Sequence, residues 1–298
     1  MTNAWAIGCV LGSVVAVGIG CGEAANGQSR GASRQAAEAA TTRPIDSGGV
    51  REPGEQPPTD SPSDTVDAVP VVLVFSKTAG FRHGSIPAGI EAIEAIGAER
   101  GFEVVASEDA GLFTDQGLAG FDAVVFLSTT GDILNEDQQA AFERFIADGK
   151  GFVGVHAAAD TEYGWAWYGE LVGAYFQSHP QVQEATIEIE DAQHPSTITL
   201  PSPWVRRDEW YDYRTNPREN ERIRVLATLL ESSYSGGQMG ADHPIAWCQA
   251  FGGGWAWYTG GGHTTEAFGE PEFREHLAGG ILWVLAEGQP ASDDAARP

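Results

Sequence analysis

Three histidines, His83, His156 and His263, each lie in a loop that follows an apolar, β-branched run, where a parallel sheet would present them together. An imidazole changes charge near neutrality and can bind a cation through a ring nitrogen, so such a group suits acid–base work or metal ligation. His156 belongs to Gly154-Val155-His156-Ala157-Ala158-Ala159-Asp160, whose strand, sharp turn and small residues have the form of a nucleophile elbow. The apex residue is then an imidazole, expected to face a cleft. His83 closes the loop Ser76-Lys77-Thr78-Ala79-Gly80-Phe81-Arg82-His83-Gly84-Ser85, whose helix start favours a polar or anionic group. Its glycines and Lys77 lack the spacing of a P-loop. His263 follows Gly260-Gly261-Gly262 and precedes Thr264; glycines let backbone approach a ligand and leave N–H donors for a developing oxyanion. Asp208-Glu209-Trp210-Tyr211-Asp212-Tyr213 adds a carboxylate pair able to orient an imidazole or hold a cation. Read as a strand over 209–213, it places Glu209, Tyr211 and Tyr213 on one face and Asp208, Trp210 and Asp212 on the other. His179, His194 and His243 each precede a proline and read as loop residues, of which His179 is the further site candidate.

The elements that would position these groups are legible as alternating patterns. Val71–Phe75, Ala123–Leu127 and Phe152–Val155 are continuous apolar runs of the kind buried on both faces of a sheet. Between them, helical spacing over 86–100 and 136–148 sets Ile90, Ile93 and Ile96, then Phe142, Phe145 and Ile146, on one face. Buried strands alternating with helices predict a parallel, doubly wound sheet covered on both sides, with ligands at the carboxyl ends of its strands. After His179 the spacing changes to strands over 186–190, 209–213, 225–230, 245–250 and 255–259, a β-rich half closed by a helix over 271–286. Eight of the nine tryptophans follow Tyr163. Most are expected in the core, with some free to line a sugar site.

Composition narrows the function classes. The 298 residues carry a formal charge of -25, which repels phosphate backbones, so no nucleic-acid partner is expected. The cysteines are Cys9, Cys21 and Cys248. With one in the domain, neither a disulfide framework nor a thiolate metal cluster can form there, and Cys248 reads as a small buried hydrophobe. Residues 1–21 read as a signal peptide, and Val17-Gly18-Ile19-Gly20-Cys21-Gly22 resembles a bacterial lipobox that would lipidate Cys21. Residues 22–69 have too few large apolar side chains to offset their ordering entropy and read as a disordered tether, and 289–298 as a flexible tail. These segments predict an extracytoplasmic, membrane-anchored lipoprotein carrying one folded domain over 70–288.

Lys77 to His83, the Gly154-Val155-His156 elbow, Phe176-Gln177-Ser178-His179-Pro180, Asp208-Glu209-Trp210-Tyr211 and Gly262-His263-Thr264, taken in order, resemble the ThuA-like family of trehalose utilisation. The resemblance implies a three-layer α/β/α sandwich, flavodoxin-like and related to class I glutamine amidotransferases. Because His156 occupies the elbow where those enzymes carry a cysteine, it implies no glutaminase activity. It also implies a small carbohydrate, of trehalose or keto-sugar type, as ligand. The expected enzyme uses His156 and His263 as acid–base groups, with Glu209 or Asp208 orienting one of them. Phe81, Arg82, His83, Asp160, His179, Tyr211, Gly262 and Thr264 would bind substrate. No residue is assigned to a metal and no cofactor is assigned, although a divalent ion stays open. Two alternatives stand beside this reading: a non-catalytic sugar-binding lipoprotein, and a metal-dependent hydrolase built on His83, His156, His263 and a carboxylate. Gly252-Gly253-Gly254-Trp255 replaces a basic residue frequent near that hairpin in the family, and would alter substrate contacts.

Overall fold

The structure is a computed structural model and describes residues 68–288. The segments read as a signal peptide with a lipobox at Cys21, as a tether over 22–69 (all but its last two residues) and as a tail over 289–298 lie outside the described residues. Among those described, no helix is long and apolar enough to cross a membrane.

The chain begins with β1 (Val71–Phe75), α1 (Ile86–Arg100), β2 (Glu103–Ser107), α2 (Asp115–Leu118), β3 (Ala123–Leu127), α3 (Glu136–Ala147) and β4 (Gly151–Val155). It continues through α4 (Ala166–Val172), β5 (Phe176–Ser178), β6 (Gln183–Ile189), β7 (Trp204–Asp208) and β8 (Asp212–Tyr213). The last elements are β9 (Arg224–Leu229), β10 (Pro244–Phe251), β11 (Gly254–Thr259) and α5 (Pro271–Glu287). Nine strands form one sheet in the order β2-β1-β3-β4-β11-β10-β9-β6-β7, and β5 pairs with β8 apart from it. From β2 to β11 every neighbour is parallel; from β11 to β7 every neighbour is antiparallel. The parallel half explains the unbroken apolar runs: β3 and β4 are buried at every position because helices cover both faces. α1 and α5 pack together on one side, while α3 and α4 pack against β11 from the other. The result is the three-layer α/β/α sandwich with a β-rich C-terminal half.

Local signals set the element ends that matter for the site. α1 starts with a proline in its first turn and stops at Gly101, whose φ of 86° is the left-handed cap conformation glycine adopts at no steric cost. α3 opens with a reciprocal capping box between Asn135 and Gln138. Both devices confine the helices to the layers and leave the strand ends free to carry loops.

Several sequence expectations change. The strand expected over 209–213 ends instead at Asp208 and resumes only at Asp212. Glu209, Trp210 and Tyr211 are all buried, so alternation of faces fails; the Trp210 indole donates to Gln183 O at 2.9 Å and turns into the core. β2 escapes a search for apolar runs because it is an edge strand with Glu103, Val105 and Ala106 exposed. The glycines 252–254 form the tight β10–β11 turn beside Ile146, Ala147 and Lys150, at the opposite end of β11 from His263. They touch no part of the cleft described below, so the expected effect on substrate contacts is withdrawn.

His276 of α5 lies fully inside the antiparallel half, its Nδ1 2.8 Å from Ser196 O and its Nε2 3.1 Å from Thr259 Oγ1. Burial pushes its pKa from 6.5 down to about 3, and burial likewise lowers His194 to about 4. The unfolded chain takes up protons near pH 6.5 that the folded chain refuses, so stability is complete above that pH and falls as the medium becomes more acid. Urea unfolding between pH 7 and pH 5 should show this loss, with a slope of up to about 1.4 kcal/mol per pH unit for each histidine. His276→Gln should remove one histidine's share; an unchanged slope in that variant would exclude the assignment.

Candidate functional site

β4 delivers His156 into a turn where its φ is +50°, a left-handed conformation that a side-chain-bearing residue adopts only when its surroundings hold it there. Tyr258 does part of the holding, since its hydroxyl donates to His156 O at 2.8 Å. The imidazole is completely buried, not open to solvent as the elbow analogy suggested. Its Nδ1 lies 2.9 Å from Gly260 O. A carbonyl oxygen can only accept, so Nδ1 carries the proton and the Nε2 lone pair is directed the other way.

What Nε2 faces is a cluster. His263 Nδ1 lies 3.2 Å from it and Glu209 Oε2 3.5 Å, while His263 Nδ1 and Glu209 Oε2 are 3.1 Å apart. The His83 ring meets the rings of His156 and His263 edge-on, with centroids 4.9 and 5.1 Å away. One donor atom from each of His83, His156, His263 and Glu209 falls within 4.8 Å of all the others. His83 is 5% exposed and its Nδ1 has no hydrogen-bond partner. Burial first, then the neighbouring His156 and His263, lowers its pKa to about 3. Burial alone would raise the pKa of Glu209, but the facing His156 and His263 rings prevail and bring it to about 2. Its carboxylate correspondingly raises the pKa of His263, against the effect of burial.

The cluster opens on a cleft of about 410 Å³. Asp160, Phe176, His179 and Tyr211 line it together with Phe81, His83, Glu209 and His263. His179 Nδ1 lies 2.9 Å from Glu209 Oε1, on the side of the carboxylate away from the cluster. Tyr211 packs against His156 with ring centroids 4.2 Å apart. Asp160 accepts a 2.5 Å hydrogen bond from the Tyr163 hydroxyl, and the Arg214 guanidinium lies 3.9 Å above the centre of the Tyr163 ring. Among the described residues no tryptophan lines this cleft; Phe81, Phe176 and Tyr211 are its aromatic surfaces.

Four expected site residues have other tasks. Asp208 is fully buried and turned away from the imidazoles: it accepts from the backbone N–H of Glu209, Gly262, His263 and Thr264 and pairs with Arg206 Nη1 at 2.9 Å. It therefore positions the loop that carries His263 and the segment that carries Glu209. The expected oxyanion donors are also engaged, since Gly262 N donates to Asp208, Gly260 N to Ile245 O and Gly261 N to Thr259 Oγ1. Thr264 Oγ1 accepts from Ala267 N at 3.2 Å and starts the next turn. Arg82 points outward to Glu108 at 2.6 Å, both half-exposed. Conversely, Phe176 and Tyr163 were not singled out. Phe176 stood inside a recognisable motif, whereas Tyr163 carries no sequence signal.

A second group, Asp212, Glu231 and His243, also brings donor atoms together. Its members are already engaged: Gln238 N donates to Asp212, Met239 N and Gly240 N donate to Glu231, and His243 Nε2 donates to Tyr211 O. It supports Tyr211 from behind.

The sequence profile of the family described as ThuA, trehalose utilisation, matches residues 71–284. The chain belongs to the ThuA family. A ThuA-like protein from Bacteroides uniformis ATCC 8492 superposes with a TM-score of 0.64 at 23% identity, covering 75% of this chain and 95% of that one. A second, from Parabacteroides merdae ATCC 43184, gives 0.62 at 20% identity over 76% and 92%. At such identities the likeness concerns the fold. A comparison with curated proteins finds no match. In this ThuA domain the residues of the Gly154-Val155-His156 elbow, of Asp208-Glu209 and of Gly262-His263 meet at one place although they are dispersed along the matched region.

Asp208→Ala would leave Arg206 Nη1 and four backbone N–H groups without their acceptor in the interior, Arg206 keeping only Glu270. Loss of one partner from a buried, hydrogen-bonded ion pair costs about 3–5 kcal/mol. Urea unfolding at pH 7 should show a loss of that size, with Asp208→Asn retaining part of it through the amide oxygen. A change below about 0.5 kcal/mol, typical of surface positions, would mean that Asp208 does not organise the loop.

Proposed function

We propose that this ThuA domain is a metal-dependent enzyme acting on a small carbohydrate, with His83, His156, His263 and Glu209 holding one divalent transition-metal ion. The observation that carries the reading is the convergence of those four donor atoms within 4.8 Å. Three imidazoles and one carboxylate suit zinc or a similar ion. The buried, unpartnered Nδ1 of His83 is a second sign of fit, because a buried polar atom left without a partner is costly. So is the bond from His156 to Gly260 O, the outer-shell support that fixes the tautomer of a ligating histidine. The acid–base reading of His156 and His263 is less well served, since their facing nitrogens turn toward Glu209 and each other.

A bound ion would supply a Lewis acid for a carbonyl or hydroxyl oxygen of the sugar. The chain's own contribution is to hold, orient and exclude. Tyr163 occupies one oxygen of Asp160 and leaves the other to accept a hydrogen from a ligand hydroxyl. His179 holds Glu209 from the cleft side. Tyr211 and Phe176, with ring centroids 4.2 Å apart, form an apolar wall against water. Cysteine chemistry of the amidotransferase kind has no support: the elbow carries His156, and Cys248 is buried on β10 with its thiol pushed up to about 12 by burial. The extracytoplasmic, lipid-anchored location belongs to the same proposal and rests on the lipobox-like run ending at Cys21. Cys21→Ser should then shift the protein from the membrane fraction to the soluble one; unchanged fractionation would remove the anchor.

Elemental analysis of the full chain purified without chelator should find about one equivalent of a transition metal. Zinc added to the stripped protein at 100 times its Kd should stabilise the fold by about 2.7 kcal/mol. Glu209→Gln combined with His263→Ala should lower metal occupancy at least about tenfold, in line with loss of ligating groups, and abolish sugar turnover while the far-ultraviolet circular dichroism stays native. No retained ion and no zinc stabilisation in the wild type would falsify the metal centre. Turnover by the stripped protein would return the acid–base reading.

A further inference from the structure

Phe81 is 66% exposed, the most exposed large hydrophobic side chain among the described residues. The exposure is built into a stiff support. Ala79 N and Gly80 N donate to Thr130 O at 2.7 and 3.3 Å, and Thr130 Oγ1 donates back to Phe81 O at 2.8 Å. Gly80 packs so closely that a Cβ there would lie 3.2 Å from Thr130 Oγ1. The next residue, Arg82, is drawn outward to Glu108, so nothing folds over the phenyl ring from that side. The ring meets His83 edge-on at 4.9 Å and lines the same cleft as the His–Glu cluster. A rigid aromatic kept in water at the rim of a polar cleft forgoes its burial energy in the free protein and recovers it when an apolar ligand surface covers it.

Carbohydrate rings present such a surface on their C–H face. The cleft, about 410 Å³, exceeds what one hexose fills. Its other aromatic wall comes from separate parts of the chain: Tyr211 packs against His156 and Phe176 against Tyr211. We propose that Phe81 is the stacking platform of a second sugar subsite, so that the cleft takes a two-ring carbohydrate with one ring over the His–Glu cluster and the other on Phe81. This rests on the carbohydrate reading above and assigns Phe81 to specificity, outside the metal centre.

The test is calorimetric titration of the full-length, zinc-loaded protein with trehalose as a two-ring probe and glucose as a one-ring probe. Phe81→Ala should weaken trehalose about tenfold, the equivalent of an aromatic contact of roughly 1.4 kcal/mol, and change glucose less than about twofold. Phe81→Tyr should restore trehalose binding. Zinc content, measured on the same samples, should be the same in all three proteins, because Phe81 supplies no donor atom. Saturation-transfer NMR with irradiation of the aromatic protons should mark the C–H protons of one trehalose ring in the wild type and lose them in Phe81→Ala. The second subsite is overturned if Phe81→Ala binds both sugars as the wild type does, if it loses both equally, or if the zinc-loaded wild type binds neither. Failure of the metal reading shows separately, as a wild type that holds no zinc.

Discussion

The arrangement of the site depends on one buried ion pair, Asp208 with Arg206. Asp208 stands at the end of the last strand in the sheet order, yet its carboxylate gathers the N–H groups of residues 262 to 264, which follow β11 in the middle of the sheet. The antiparallel half must therefore curl back over the end of the parallel half. A carboxylate alone in such a place would be prohibitively costly; four N–H donors and a guanidinium offset its desolvation. Arg206 is itself secured by Glu270 and by the face of Phe273, 4.5 Å from the guanidinium carbon. The pair thus ties β7, the His263 loop and the start of α5 into one unit, and Glu209 is the next residue along.

Around that anchor, strain and like-charge proximity are concentrated in a few residues. His156 is held at positive φ by bonds from both sides of its own peptide and ring. Burial and the neighbouring imidazoles hold the pKa of His83 low, while the carboxylate of Glu209 stays ionised and raises that of His263. Three imidazoles gathered around one carboxylate form the donor set that a cation requires of its ligands. They are also an arrangement that hydrogen bonding inside the protein leaves incompletely satisfied. The outer residues, His179 and the Asp160–Tyr163–Arg214 series, lie at the cleft rather than in the core. Their partners fix orientation at the edge of solvent, where packing alone would leave side chains free.

The parallel core and the positions of the loops were legible in the residues because both are local. A strand buried on two faces must be apolar throughout, so Val71–Phe75 and Ala123–Leu127 declare themselves, and the ligand end of such a sheet follows from topology. His83, His156 and His263 could be placed at that end on spacing, and the order of the surrounding motifs pointed to the ThuA family. The exposed edge strand Glu103–Ser107 could not be read in this way, because its outward residues mix charge with small and apolar groups and leave no run to recognise.

What the sequence by itself determined is therefore which loops gather at the strand ends; what only the tertiary structure decided is which side chain in each loop faces the cleft. Asp208 and Glu209 are adjacent acids in sequence, yet one fastens backbone and the other joins three histidines, because a strand ends between them. Arg82 and His83 likewise part to opposite sides, toward Glu108 and toward the cluster. Gly262, whose N–H looked like a free donor, is consumed by the carboxylate of an edge strand more than fifty residues earlier. Periodicity records how one element buries itself, a short-range matter, whereas these assignments depend on how far the antiparallel half curls over the parallel one, which is settled by packing among segments distant along the chain.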